Sequence, residues 1–236
     1  FLLSLPVMAH AQINLKKGYI VKQSGDTLRG YIDYRERGEN PELVRFTKSL
    51  DEKTLSLGFE DCSPFGIDGI VRYEGYVVSV SQSQESLSYL SKGVDTTSKR
   101  DTVFLEVMSA GDKISLYKYR DKIKTRFYIR EHPNSVPQEL IRHVFLNPDK
   151  DGSMVTLDRF RLQLINVNRN FNGSNGSDEA GINRLRYTDS DLIRFVERIN
   201  QVKHVKQRVS KTRFFVGAGL NVSHASYSGQ TRLAEA

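Results

Sequence analysis

ISLYKYRDKIKTRFYIR, residues Ile114 to Arg130, is the stretch on which the fold turns. Two short runs flank Asp121-Lys122, and in the second run Phe127 and Ile129 fall on one face while Lys124, Arg126, Tyr128 and Arg130 fall on the other. Successive side chains of a strand point to opposite sides of its sheet, so this pattern predicts an antiparallel hairpin whose second strand is buried on one face.

Toward the N-terminus the same period recurs. Tyr19-Ile20-Val21 and Leu28 to Tyr34 flank Ser24-Gly25-Asp26, where Gly tolerates positive φ and Asp can close the turn on its own backbone, which predicts a second hairpin. Leu43 to Thr47, Thr54 to Phe59, Ile70 to Val80 and Thr102 to Met108 are further candidate strands. Between the last two, Ser81 to Arg100 is rich in Ser, Gln and Thr and reads as a surface excursion. Consecutive short strands joined by tight turns favour a meander that curves into a sheet or small open barrel.

Beyond Pro133 the period changes to that of a helix. Val136 to Phe145 and Leu157 to Val167 carry apolar residues at helical spacing, and Tyr187 to Asn200 is the strongest helical pattern, with Leu192, Phe195, Val196 and Ile199 in one stripe. Thr188 is placed to accept from the Asp191 amide as N-cap, with Asp191 answering as in a capping box. Asn170 to Ser177, a run of Asn, Gly and Ser around one Phe, is expected to be a mobile loop.

The chain of 236 residues is long enough for one substantial domain or two small ones. Its first eleven residues, FLLSLPVMAHA, lack Asp, Glu, Lys and Arg and end in Ala9-His10-Ala11, a small-x-small cleavage pattern that leaves Gln12 as the new N-terminus of an exported protein. Neither an initiating Met nor a basic segment precedes Phe1, so residues 1–11 read as the remnant of a signal peptide. The single cysteine, Cys62, cannot build an internal disulfide framework and is expected to be a packed thiol. No thiol near Gln12 could receive a lipid, and no apolar run approaches the ~18–20 residues of a spanning helix, so membrane residence would require strands.

Much of the net charge of +7 is local: Arg184 to Arg213 holds nine basic residues against three acidic ones. An exported chain rarely meets nucleic acid, and the run lacks the interleaved aromatics of single-strand binders, so nucleic acid is not an expected partner. The stretch, which includes a basic linker over 202–212, is either attracted to anionic lipid headgroups or simply solvated.

After that linker comes RFFVGAGLNVSHA, Arg213 to Ala225. Phe214, Val216, Ala218, Leu220 and Val222 share one face and Phe215, Gly217, Gly219, Asn221 and Ser223 the other, the apolar-out, small-or-polar-in alternation of a transmembrane β-strand. A lone strand leaves unsatisfied edges in lipid, so this reading requires partner strands. Taken with GYIVKQSGDTLRGYIDY (Gly18 to Tyr34), VRF (Val44 to Phe46), LYKYRDKIKTRFYI (Leu116 to Ile129) and RYTDSDLIRFVERIN (Arg186 to Asn200), the chain resembles Bacteroidota-type exported proteins in which a soluble module precedes a porin-like outer-membrane barrel. That resemblance implies location and architecture, and brings no activity or binding residues with it. The expected class is α+β: an antiparallel β-meander or small open barrel with C-terminal helices (12–201), then the basic linker and the first strand of an outer-membrane β-barrel (213–236).

Chemistry-bearing motifs are sparse. Asn147 to Asp158 imitates an EF-hand loop, but Asn replaces the first Asp, Val155 offers no side-chain oxygen and Asp158 is shorter than the usual bidentate Glu, so a polar connection between helices is the expected structure. The sequence contains no Gly-x-Ser-x-Gly elbow, His-Glu-x-x-His, P-loop or dinucleotide glycine pattern, and His132, His143, His204 and His224 lack ligand spacing. The expectation is a non-enzymatic chain with no catalytic, cofactor or metal residue. A freestanding secreted glycan- or peptide-binding protein, presenting Tyr117, Tyr119 and Tyr128 from the sheet, is the alternative.

Overall fold

The computed structural model describes residues 14–34, 38–133, 135–150, 152–173 and 175–202; the expected leader 1–11, all but the first residue of the expected linker 202–212 and the expected strand 213–225 lie outside them. Twelve strands and three α-helices occupy the described residues. In chain order the strands are β1 (Leu15–Lys22), β2 (Thr27–Asp33), β3 (Val44–Thr47), β4 (Leu55–Leu57), β5 (Cys62–Ile67), β6 (Val71–Ser81), β7 (Ser98–Ser109), β8 (Ile114–Arg120), β9 (Thr125–Glu131), β10 (Gln138–Glu139), β11 (His143–Leu146) and β12 (Met154–Leu157). The helices α1 (Phe160–Asn172), α2 (Gly176–Ile182) and α3 (Asp189–Asn200) follow.

Ten strands form one antiparallel sheet in the order β10-β9-β8-β7-β6-β5-β1-β2-β3-β4, while β11 and β12 make a separate hairpin. The sheet curls into a half-barrel, so the α+β open-barrel class is observed. Gly25, at φ +89°, makes the predicted β1–β2 turn, and β8 and β9 pair from Ile114↔Glu131 to Arg120↔Thr125 around the Asp121 turn.

Burial on that central hairpin differs from the expectation. Phe127 and Ile129 do face the helices, but Arg126 and Tyr128 on the opposite side are fully buried as well. The curl of the sheet explains this: its inner face closes over Val78, Val80, Val103, Leu105, Tyr117 and Tyr128, which form a core of their own. On the outer face Ile114, Leu116, Phe127 and Ile129 pack under Phe160 and Leu164 of α1, Ile182 of α2 and the Leu192, Phe195, Val196 and Ile199 stripe of α3. A third cluster, around Ile20, Phe46, Cys62 and Phe65, fills the β1–β5 end.

Helix α3 has the predicted cap, with the Thr188 hydroxyl accepting from the Asp191 amide at 3.4 Å. Asp191 reaches past Thr188 and accepts instead from the Arg186 amide at 3.0 Å and the Arg186 guanidinium at 3.2 Å. Those bonds, the backbone one foremost, lower its carboxyl to about 2.

Two other expectations are overturned. Val136 to Phe145 is not a helix: β10 pairs with β9 at Gln138↔Ile129, and β11 pairs with β12. A helix of about ten residues is marginal in water, whereas here the edge of β9 supplies a bond to the Leu140 amide and the Gln163 carboxamide bonds Glu139 O and the Ile141 amide. The Asn170 to Ser177 loop shrinks likewise, because α1 runs to Asn172, Gly173 turns at φ +74° and α2 starts at Gly176, with Asn175 as its N-cap. Ile182, buried under α1 and α3, gives that short helix its anchor.

Truncating Phe195 to Ala removes the ring that joins α3 to the sheet and should cost ~3–5 kcal/mol, whereas Leu162→Ala on the exposed side of α1 should stay within about 0.5 kcal/mol. Urea unfolding of the two variants checks the contrast.

Candidate functional site

β6 pairs with β7 from Tyr73 to Ser81 but with β5 only from Val71 to Tyr73, so among the described residues no strand covers the rest of its outer edge. A buried carbonyl or amide without a partner costs ~1–3 kcal/mol, and side chains from β9 and β10 meet the demand. The Tyr128 hydroxyl donates to Ser79 O at 3.1 Å, and Arg126 directs Nε and Nη2 at Ser81 O, the first at 2.9 Å. Glu139 accepts from the Ser81 amide at 2.9 Å and from its hydroxyl. The half-barrel is therefore latched by three side chains where a ladder would otherwise run.

A fully buried guanidinium needs compensation, and Arg126 Nη1 finds Asp121 Oδ1 at 2.9 Å and Lys124 O at 3.1 Å. Burial alone would raise the Asp121 carboxyl, but the Arg126 bond and the amides of Lys124 and Ile123 outweigh it and hold the group below its ordinary range. Lys124 is buried beside this pair and donates to Ser83 Oγ at 2.7 Å; desolvation lowers its ammonium despite Glu139. The start of the excursion after β6 is thus interior, since Ser81 and Ser83 are both buried. His143 is 5% exposed, its Nδ1 has no hydrogen-bond partner, and burial followed by the Lys124 charge pushes its pKa down.

Further along the inner face, Glu74 accepts from Tyr76 at 2.6 Å and Tyr117 at 3.0 Å, while Arg72 holds its other oxygen at 2.6 Å. Arg130 donates to the Tyr76 hydroxyl at 2.9 Å and lies over its ring. Burial, reinforced by the Glu74 bond, raises the Tyr76 hydroxyl well above its usual value and keeps it a neutral donor. Tyr117 and Tyr128 are consequently internal, and only Tyr119 keeps partial exposure, so the binding face expected from Tyr117, Tyr119 and Tyr128 does not exist.

The EF-hand look-alike lies on a different frame from the one it imitates. β11 and β12 flank it where helices were expected, Asn147 N donates to Ser153 O, and Asp158 pairs with Arg142 at 3.5 Å and Arg161 at 3.1 Å. Asp151 lies outside the described residues. Among the described residues no three His, Cys, Asp or Glu side chains are grouped to share a metal ion. Cys62 is fully buried, and burial, then the Asp61 charge, pushes its thiol up to about 11, which keeps it protonated at neutral pH.

One more cluster fixes the end of α3. The Asn200 carboxamide accepts from the Lys113 and Ile114 amides at 3.0 and 3.1 Å and donates to Ile114 O and Val196 O at 2.9 and 3.0 Å. Gly111 permits the approach, since a Cβ there would collide with that carboxamide. Gln201 then leaves the helix in the left-handed region at φ +57°.

No family model, curated protein or solved structure matches the chain.

Removing Arg126 while leaving Asp121 and Ser81 O in place should cost about 3–5 kcal/mol, as for other broken buried pairs; urea unfolding of Arg126→Ala against the parent chain measures it. His143 gives a pH dependence of defined sign. Its folded pKa lies below the ordinary 6.5, so the unfolded chain binds more protons and stability falls as pH drops through 6.5 toward the folded value. Urea midpoints at pH 7, 6 and 5 should therefore decline less in His143→Leu than in the parent, and parallel profiles would remove His143 from the account.

Proposed function

We propose that the described domain is the non-enzymatic module of an exported, porin-like outer-membrane β-barrel protein, serving a structural or binding role at the cell envelope. The observation that carries this reading is the clamp at Asn200. A carboxamide with four bonds to backbone pins the last helix to the β7–β8 turn immediately before the chain enters the basic linker and the alternating stretch at 213–225. A module joined to a barrel benefits from such a fixed point of exit, because tension in the linker then acts on a helix end tied to the central sheet.

The fate of the ionisable groups supports the same reading. Arg126, Glu139, Glu74 and Arg130 are engaged in closing the half-barrel, and the one thiol is buried and protonated. The leader-like 1–11 supports export, and the surplus of cations past Arg184 suits attraction to anionic headgroups at a bilayer surface.

Envelope fractionation of cells expressing the complete gene tests the proposal. The protein is expected to float with outer membranes and to migrate faster on gels when unheated than after boiling. Recovery as a soluble periplasmic or secreted protein, with one heat-independent mobility, would overturn it.

A further inference from the structure

We infer that the trough between the start of β9 and the N-terminal turn of α3 is a binding site for a neutral oligosaccharide. This site does not depend on the barrel reading and stands or falls separately. The trough has a volume of about 530 Å³ and is built from separate parts of the chain: Glu85 from the excursion after β6, Thr125 from β9, Arg142 from the segment before β11, and Tyr187, Asp189 and Ser190 at the entry to α3. The trough is shallow and open to solvent, and its volume falls in the ~300–1,000 Å³ range of small-molecule sites with a few convergent polar groups.

Its walls are held in place before any ligand arrives. The Tyr187 hydroxyl donates to Leu140 O at 2.7 Å and accepts from the Phe127 amide at 3.1 Å, while its ring meets Phe127 and Phe160 edge-on at centroid distances of 4.9 and 5.1 Å. Arg142 lies over the same ring and is fixed by Glu85 at 3.0 Å and Asp158 at 3.5 Å.

The charges select the ligand class. Arg142 is shared by two carboxylates, and Asp189 is paired with Lys118 at 3.1 Å, so the trough offers no uncommitted cation for a phosphate or carboxylate ligand. Each trough carboxylate nevertheless keeps an oxygen with accepting capacity, Glu85 Oε1 and Asp189 Oδ1, and the hydroxyls of Thr125 and Ser190 can donate or accept. Acceptors, hydroxyls and a fixed guanidinium around a half-buried aromatic ring match a ligand dense in neutral hydroxyl groups. An extended peptide fits less well. At Phe127 the backbone of β9 is already engaged, its amide on Tyr187 and its carbonyl on the Leu140 amide, which leaves a strand only the short stretch at Thr125 to pair with.

Titrating the full chain with maltotetraose and N-acetylchitotetraose, followed by residue-resolved amide chemical shifts, tests the site. At least one of these probes should shift Glu85, Thr125, Arg142 and 187–190 as a group with a Kd in the millimolar range or tighter. Ser190→Trp, which fills the trough from the exposed first turn of α3, should weaken that binding at least tenfold with an unchanged thermal midpoint. Shifts produced by inorganic phosphate and by neither sugar would overturn the assignment. So would silence from both sugars up to ~10 mM, or sugar shifts that persist in Ser190→Trp.

Discussion

Ser81 lies where a curled sheet runs out of strands, and what happens to its backbone there governs the rest of the molecule. A curl that buries the inner face of β6 to β9 also buries part of the outer edge of β6, and buried backbone groups must be partnered. Arg126, Tyr128 and Glu139 supply those partners from β9 and β10, with β7 and β8 lying between them and β6 in the sheet, and from up to 58 positions away in sequence. The inner core of valines, leucine and tyrosines can then exclude water, and the central hairpin is buried on both faces with the helices free to cover its outer side.

The same closure commits several ionisable groups to structure. A buried guanidinium demands a carboxylate, which Asp121 provides. A buried glutamate demands donors, which Ser81 provides with both its amide and hydroxyl. Arg126, Asp121 and Glu139 are thereby committed to holding one curved surface shut. The Asn200 carboxamide ties the end of α3 to the start of β8, so the last described helix is joined to the same sheet that the latch closes. The trough beside α3, with its polar groups only partly engaged, is the surface on which recognition can be built.

Local periodicity made the β1–β2 and β8–β9 hairpins and α3 legible, because each is decided by neighbours within a few residues: Gly25 at a turn, alternation around Asp121, a Thr188 cap ahead of an apolar stripe. β5 escaped notice since Pro64 and Gly66 weaken its strand character, and its pairing with β1 shifts register between Ile20 and Lys22. Val136 to Phe145 carried a helical pattern that was lost to a distant competitor, the open edge of β9. Arg126 and Tyr128 looked like the wet side of a strand because the sequence holds no local sign that Ser79 and Ser81 will need them. For the same reason the trough was invisible: Glu85, Thr125, Arg142 and Tyr187 converge only once the sheet has curled and the helices have docked.

Native-state hydrogen exchange at the Ser81 amide tests the closure most directly, since that proton is held by a side-chain carboxylate and by no strand. The account predicts exchange as slow as that of the β8–β9 ladder in the parent chain, and at least tenfold faster exchange in Glu139→Ala. A Ser81 amide that exchanges in the parent chain as freely as one in the exposed excursion after β6 would contradict it.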